Sequence, residues 1–321
     1  MSYSSKVKEE LIRVIPEVRH CLIGELAAII SSLGNVKISE EGKCRLVVRT
    51  EHPGLARKYF TLLKKTFNIG SDVVISDNAF PGRKHTYSVN IRSNEETKAV
   101  LLGTKILATD SDLPDRLSVK ENIILQSSCC KKAFLRGSFL AAGSITDPEK
   151  SYHMEVVFAH VEQALQLRNV MEALGLSPKI IRRKRFFVVY LKESDQIVMA
   201  LGFMDAPRSF MELENVRILK GMRNDVNRKV NCETANINKT VSAAFSQLED
   251  INLISTVVGL NSLTANLRAV AEARLENPEA TLAELGEMIS PALGKSGVNH
   301  RLRRLSEIAN RLRESRREED D

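Results

Sequence analysis

The amino-acid sequence predicts an α+β protein with a duplicated N-terminal domain and an all-α C-terminal domain. Two nine-residue segments rich in small side chains, Leu26–Gly34 and Leu135–Gly143, match at a constant separation of 109 residues. Each segment precedes the same order of short strand and helix patterns, which indicates an internal pseudo-twofold. Beyond Asn261 the chain contains only short helical patterns, two of them spaced as in a helix-turn-helix.

The small residues of the two segments predict where the halves pack. Gly137 and Ala141 lie one helical turn apart, and Ala28 and Ser32 hold the equivalent places in the first copy. Small side chains at this spacing let the backbone of another helix approach closely. We therefore expect Ala28, Ser32, Gly137 and Ala141 to form the contact between the halves.

The duplicated domain is predicted to span residues 1–206, with halves of about 1–110 and 117–206 separated by the polar segment Asp110–Arg116. Apolar periodicity predicts four helices in the first half. The first is capped by Ser4-Ser5, the second spans Cys21–Gly34, the third begins at Pro53-Gly54, and the fourth spans Glu95–Leu107. The predicted strands of this half are Val36–Ile38, Cys44–Val48, Val73–Ile75 and Tyr87–Ile91. The second half repeats the order with a helix from Ala133, the strand Tyr152–Phe158, the helix Val161–Leu174, the hairpin of Lys179–Arg183 with Phe186–Leu191, and the helix Gln196–Gly202.

The remainder of the chain is predicted to be helical. Residues 207–256 form a linker whose apolar face we expect to pack on one or both domains, and residues 257–321 form the helix-turn-helix domain. Thr281 with Glu284 three residues later is typical of a capping box. The helix it opens ends near Ile289, the segment Ser290–Gly294 is the turn, and Lys295–Leu312 is the second helix of the motif.

The helix from Lys295 carries the strongest functional signal. Its apolar residues form one stripe, while Ser296, His300 and Arg303 point the opposite way, as a recognition helix requires. Eight Lys or Arg against two Glu lie between Gly294 and Arg317, and they supply most of the net charge of +7. A solvated basic helix would explain the charge but not the capped helix and turn that precede it. We expect DNA contacts from Thr281, Lys295, Ser296, Asn299, His300, Arg301, Arg303, Arg304, Arg311 and Arg313.

A second basic site lies at a predicted hairpin tip. Arg182, Arg183, Lys184 and Arg185 are consecutive and precede two phenylalanines. The run is either a second contact for DNA phosphates or a charged turn exposed to solvent, and the sequence does not choose between them.

Both nine-residue segments resemble the signature helix of LAGLIDADG homing endonucleases, in which two such helices pack between two αββαββα halves. The resemblance implies a saddle-shaped LAGLIDADG-like domain. The endonucleases usually carry acids at signature positions six and eight, and the acid at position eight holds the catalytic metal. This chain has Ser31 and Leu33 there in the first copy and Leu140 and Ala142 in the second. Metal-dependent phosphodiester hydrolysis needs oxygen ligands, so no catalytic residue carries over and we predict no enzyme.

Three longer segments, Phe134–Val156, Val230–Ile251 and Leu282–Ala309, closely resemble the WhiA family of bacterial regulators. The resemblance covers essentially the whole chain. It implies a degenerate LAGLIDADG-like domain, a C-terminal helix-turn-helix similar to that of sigma factors, and a DNA-binding role in cell division, chromosome segregation or sporulation.

The sequence shows no pattern typical of a metal or cofactor site. The five cysteines, Cys21, Cys44, Cys129, Cys130 and Cys232, have no regular spacing, and the adjacent pair fits neither a CxxC motif nor a zinc knuckle. We read them as reduced thiols. His153 and His160 flank a predicted strand with Glu155 nearby, but their spacing places the histidines on opposite faces. We therefore predict no metal site and no cofactor.

Together these patterns favour a sequence-specific transcriptional regulator that binds double-stranded DNA. We expect it to be cytoplasmic and nucleoid-associated, without a membrane segment, and other transcription or division proteins are candidate partners. The alternative is a protein-interaction adaptor that uses the N-terminal saddle and has only nonspecific DNA affinity. A working endonuclease would need the missing carboxylates, and a small ligand held between the halves would leave no trace in the sequence.

Overall fold

The computed structural model of the chain describes residues 2–38, 43–76, 85–108, 117–120 and 122–320. It divides into two compact units, Met1–Lys220 and Gly221–Asp321. The predicted boundary between the two halves, Asp110–Arg116, lies outside the described residues. No helix in the described part of the chain is both long and apolar enough to cross a membrane.

The first unit contains two copies of one arrangement of helices and strands, and the predicted α+β class is confirmed. The first copy comprises α1 (Tyr3–Arg13), α2 (Arg19–Leu33), β1 (Gly34–Ile38), β2 (Cys44–Thr50), α3 (Pro53–Phe67), β3 (Asp72–Ser76), β4 (Thr86–Ile91) and α4 (Asn94–Gly103). The second comprises α5 (Ser128–Ala142), β5 (Gly143–Ile145), β6 (Met154–Phe158), α6 (Val161–Glu172), β7 (Lys179–Arg183), β8 (Phe186–Leu191) and α7 (Ser194–Phe203). The rest of the chain is helical, with α8 (Pro207–Val257), α9 (Ala265–Glu276), α10 (Leu282–Met288) and α11 (Lys295–Asp320).

Each copy builds a four-stranded antiparallel sheet with the same strand order, β1-β2-β4-β3 in the first and β5-β6-β8-β7 in the second. Alternate residues of the strands face the core, as the two-residue period of a strand requires. Met154, Val156 and Phe158 of β6 are buried, whereas Glu155 and Val157 between them are only half-buried. This one-sided burial places one face of the second sheet against the helices.

Helices α2 and α5 pack along the middle of the first unit, and the spacing of 109 residues holds from their first residue to their last. A Cβ atom on Gly137 would lie 2.7 Å from the carbonyl oxygen of Glu25 and 2.9 Å from the Cβ of Ala28. Only a glycine allows the two backbones to come this close. Ala28 is fully buried, and Ser32 donates its hydroxyl to the carbonyl of Ala28 in its own helix.

A buried ionic network crosses the same region. The carboxylate of Glu25 lies 2.6 Å from Nζ of Lys58 on α3 and 3.1 Å from Nη2 of Arg136 on α5. Lys58 also donates to the carbonyls of Leu11 and Val14. Burial of Lys58 lowers the pKa of its ammonium, while the adjacent Glu25 opposes that shift. Buried charges are tolerated when they are paired and hydrogen-bonded, so this network fixes how α2, α3 and α5 meet.

Several predicted boundaries differ from those in the structure. Ser2 caps α1 by accepting the amide of Ser5, so the cap lies two residues before the predicted one. Helix α4 ends at Gly103 rather than Leu107, and the backbone amides of Ile106 and Leu107 instead bond back to Leu101.

The expectation that the whole apolar face of α8 is packed is wrong for the part before residue 248. Ile251 and Ile254 are fully buried in the second unit, whereas Val241 and Phe245 are 61% and 63% exposed. The N-terminal turns of the predicted linker belong to the first unit, where Leu213 is buried in the core.

Candidate nucleic-acid interface

The second unit is a small helical domain whose core is formed by α9, α10, α11 and the end of α8. Its central residues are apolar side chains that recur at helical spacing, and they are Ile251, Ile254, Val270, Ala271, Leu285, Ile289, Val298, Leu302, Leu305 and Ala309. Val298, Leu302 and Leu305 of α11 are nearly or fully buried. The apolar stripe predicted on this helix therefore holds it on the scaffold.

Specific local contacts fix the start of α10 and the turn between α10 and α11. The Thr281 side chain accepts the backbone amide of Glu284, and the Glu284 carboxylate accepts the amide of Thr281 at 2.7 Å, which completes a capping box. These hydrogen bonds hold the pKa of Glu284 below its usual value. At the other end of α10, Leu293 donates its amide to the carbonyl of Gly286. A Cβ atom on Gly286 would lie 2.0 Å from the carbonyl oxygen of Leu293, so the turn requires glycine there.

The sequence did not reveal a buried arginine that supports this motif. Arg274, near the end of α9, is 2% exposed and donates to the carbonyls of Pro278 and Ala280 in the connection to α10. Burial lowers the pKa of its guanidinium. An arginine in an apolar helical stripe is the one signal that could have pointed to it.

The polar face of α11 is exposed where it was predicted to be. Lys295, Ser296, Asn299, His300 and Arg303 are all exposed, while the residues between them on the other side of the helix are buried. Because these side chains lie in the first three turns, they form one continuous surface of donors at the N-terminal half of the helix. Arg311 extends the exposed basic surface toward the C-terminus.

Three other predicted contact residues and Thr281 have partners within the unit. Arg301 donates to the carbonyl of Asn266 on α9, and Arg304 lies 3.3 Å from Glu307 in an exposed pair. Arg313 binds the nearly buried carboxylate of Asp250 on α8 at 2.7 Å. Thr281 therefore forms the capping box that the sequence predicted, whereas Arg313 has a structural task that the sequence did not indicate. The exposed residues are better placed for a ligand.

The second basic site lies at the tip of the β7–β8 hairpin. Arg182, Arg183, Lys184 and Arg185 are exposed, and Lys184 has a positive φ of 57° in the tight turn. Arg183 lies 3.4 Å from Glu155, and Arg185 stacks over the ring of Phe186. These contacts fit a charged turn, and they leave Arg182 and Lys184 at the exposed tip.

Helices α2 and α5 end at a cleft, and in an endonuclease this end of the helix pair would hold the catalytic residues. Leu33, Leu140 and Gly143 line the cleft, with Lys8, Arg49 and Glu51 among its charged residues. Burial lowers the pKa of Lys8. The two signature positions at these helix ends supply a leucine and an alanine in place of the metal-binding acids.

The two histidines considered as ligands are separated in the structure. His153 precedes β6 and lies 3.2 Å from Glu155, whereas His160 is the residue before the first turn of α6. Among the described residues they do not belong to a group of three or more candidate metal ligands.

Comparison with known proteins matches family models along most of the chain. A model described as the WhiA N-terminal LAGLIDADG-like domain matches residues 19–107, and one described as the WhiA LAGLIDADG-like domain matches residues 131–223. A model described as the WhiA C-terminal HTH domain matches residues 226–309. The last match begins within α8, so the family domain includes much of the helix that the sequence suggested as a linker.

Full-length relatives agree with the family models. The chain is 46% identical to the "Probable cell division protein WhiA" of Lachnoclostridium phytofermentans over 98% of this chain and all of that protein. It is equally identical to the protein of the same name from Alkaliphilus oremlandii, over 98% of this chain and 99% of that one. The crystal structure of full-length DUF199/WhiA from Thermatoga maritima matches 97% of this chain and 99% of its own, with 25% identity and a TM-score of 0.59. With three domain models in order and relatives along its whole length, the chain belongs to the WhiA family.

Proposed function

We propose that this chain is a sequence-specific DNA-binding regulator that reads duplex DNA with the N-terminal half of α11. The observation that carries the proposal is the division of this helix into a buried apolar side and an exposed polar side. The helix is preceded by a capped helix and a tight turn, as in other helix-turn-helix proteins. The family model for this region is described as an HTH domain.

In this arrangement the exposed residues divide into two roles. Asn299, His300 and Arg303 lie where base edges would be reached, because the N-terminal turns of a recognition helix enter the major groove. Lys295 and Arg311 lie at either end of that surface and would bind phosphates. The N-terminal unit would supply additional phosphate contacts from Arg182 and Lys184 at the hairpin tip.

The proposed biological role follows from the names of the relatives, which are called cell division proteins. We propose that the chain regulates transcription of genes for cell division, with chromosome segregation and sporulation as further processes, and that it acts on the nucleoid in the cytoplasm with other transcription or division proteins. We propose no nuclease activity, since the signature positions carry Leu33 and Ala142 rather than acids.

The test is selection of bound fragments from genomic DNA, followed by titration of the selected site and a scrambled site. The variant with His300→Ala and Arg303→Ala should lose about 10- to 100-fold of its preference for the selected site, because a good base contact contributes about 1–3 kcal/mol. Arg311→Ala should weaken binding to both sites and reduce the salt slope by about one. The matched control removes the same two residue types from the region of α6, with His160→Ala and Arg168→Ala, and should bind normally.

Two outcomes would contradict the assignment. If the α11 double variant still prefers the selected site as strongly as the original chain does, α11 does not read the sequence. If selection returns fragments with no shared motif, the adaptor function is favoured instead, because that function needs only nonspecific DNA affinity.

A further inference from the structure

Three cysteines and a histidine meet where α2 and α5 begin. His20 and Cys21 are the second and third residues of α2, and Cys129 and Cys130 are the second and third residues of α5. One nitrogen or sulfur atom from each residue lies within 4.8 Å of all the others. His20 Nδ1 is 3.0 Å from the sulfur of Cys130, 3.3 Å from that of Cys21 and 3.9 Å from that of Cys129. In the described part of the chain, no other group of three or more His, Cys, Asp or Glu residues comes together in this way.

The three separations from His20 bracket the edge of one metal-centred tetrahedron, and all four ligand atoms lie within 4.8 Å of one another. Zinc binds cysteine sulfur at about 2.3 Å and histidine nitrogen at about 2.0 Å, which places neighbouring ligand atoms about 3.5–3.8 Å apart. We propose that His20, Cys21, Cys129 and Cys130 bind one Zn²⁺ ion as a Cys3His site. The thiols bind as thiolates, so their protons are released to solvent when the metal enters.

The site lies on the internal pseudo-twofold. Cys129 follows His20 by 109 residues and Cys130 follows Cys21 by the same number, so each half contributes its equivalent pair. The first turns of α2 and α5 supply these two pairs. These two turns face one another here, and both donate two adjacent ligands. The spacing rules for zinc motifs missed the site because its pairs are adjacent residues from two helices rather than members of one loop.

The packing of α2 on α5 holds the four ligands together. A Cβ atom on Gly24 would lie 3.2 Å from the carbonyl oxygen of Cys130, so the backbones are in close contact one turn from the ligands. Cys21 and Cys130 are buried, whereas Cys129 and His20 are exposed and leave a path for the ion. The signature positions of the endonuclease metal, Leu33 and Ala142, are at the other ends of these helices, so this site is distinct from that one.

A mononuclear ion fits the cluster better than an iron–sulfur centre or a disulfide. Iron–sulfur clusters place bridging sulfides between the metal ions and hold their ligands farther apart than these. A disulfide would join two of the three sulfurs and leave the third thiol and His20 without a role. Bound zinc would cross-link the two halves at the ends of their central helices.

The test measures metal content and metal chemistry in the full chain. The chain is purified without chelator under reducing conditions and analysed by inductively coupled plasma mass spectrometry. We expect about one zinc per chain, and replacement by Co²⁺ should give the strong visible absorption of a tetrahedral site with thiolate charge-transfer bands. Cys129→Ser and His20→Ala should each reduce zinc retention after gel filtration at least tenfold. Cys232→Ser, which removes an exposed cysteine of α8, is the matched control and should retain the metal.

Folding of each variant is checked by tyrosine fluorescence, since all five tyrosines lie in the first unit and the chain has no tryptophan. Cys129 and His20 are exposed, so we expect both variants to fold. The proposal would be overturned if the folded, unsubstituted chain held less than a tenth of an equivalent of zinc after incubation with zinc and dialysis. Equal zinc in the original chain and both variants, or iron with acid-labile sulfide in place of zinc, would also overturn it.

Discussion

Replacement of Glu25 by Gln tests the buried ionic network directly. The change keeps the size of the side chain but removes the negative charge that Lys58 and Arg136 share. The Lys58 and Glu25 side chains are both fully buried and 2.6 Å apart, so Lys58 would lose the carboxylate in contact with it. Arg136 would keep Asp205, at 2.6 Å, and the carbonyl of Met204. Breaking a buried ion pair costs about 3–5 kcal/mol. Because Arg136 keeps its other contacts, we expect Glu25→Gln to lower the free energy of unfolding by an amount near the lower end of this range.

The pH dependence of this variant has a definite sign. Burial already lowers the pKa of Lys58, and loss of Glu25 removes the largest opposing effect. Between the lowered pKa in the folded state and the ordinary value of about 10.4, the unfolded chain binds more protons than the folded chain. Stability of Glu25→Gln should therefore rise with pH through that window. The destabilisation relative to the original chain should be smaller at pH 9 than at pH 7.

Urea unfolding followed by tyrosine fluorescence measures the effect, because the signal reports on the first unit alone. Adding Lys58→Met to the variant should recover most of the loss, since it removes the unpaired charge and leaves a side chain of similar length. A loss below about 1 kcal/mol, or no recovery in the double variant, would refute the claim that Lys58 depends on Glu25.

Two further predictions concern the second unit, and both are read from its thermal unfolding by circular dichroism. Gly286→Ala should prevent the turn before α11 from forming and abolish DNA binding, because the new Cβ would lie 2.0 Å from a backbone oxygen. Gly297→Ala, whose Cβ would lie 3.5 Å from a leucine side chain, should leave the fold intact, and equal stability of the two variants would contradict the argument. Arg313→Ala should destabilise the unit by about 1–3 kcal/mol, since it leaves the nearly buried Asp250 carboxylate without its 2.7 Å partner. Arg311→Ala should change stability little. If Arg311→Ala destabilises the unit as much as Arg313→Ala does, the ion pair between Arg313 and Asp250 is unimportant for stability.

Local patterns in the sequence were sufficient for most of the fold. The helical spacing of Val298, Leu302 and Leu305, the capping box at Thr281, and the recurrence of a small-residue helix all depend on residues within a few positions of one another. Those features predicted the element order and the exposed face of α11. Each of these patterns arises from packing or hydrogen bonding between residues within one or two helical turns of each other.

The contacts that the sequence did not reveal join residues far apart in the chain. Arg313 meets Asp250 from 63 positions away, and Glu25 meets Arg136 from 111 positions away. Nothing in the helical pattern around Arg313 distinguishes an arginine that binds a carboxylate of its own chain from one that would bind a phosphate. The same limit applies to the cluster at His20, which exists only once α2 and α5 are packed.

The ionic network of Glu25 also makes the two halves chemically unequal at their shared axis. The position equivalent to Glu25 in the second half is Phe134, and the position equivalent to Arg136 in the first half is Ala27. Two first halves from separate molecules would bury two Glu25 carboxylates, each with its own Lys58 but without Arg136. Two second halves would bury two Arg136 guanidinium groups, each with its own Asp205 but without Glu25. Charge therefore favours the unlike pair, and this discrimination opposes the association of like halves from neighbouring chains.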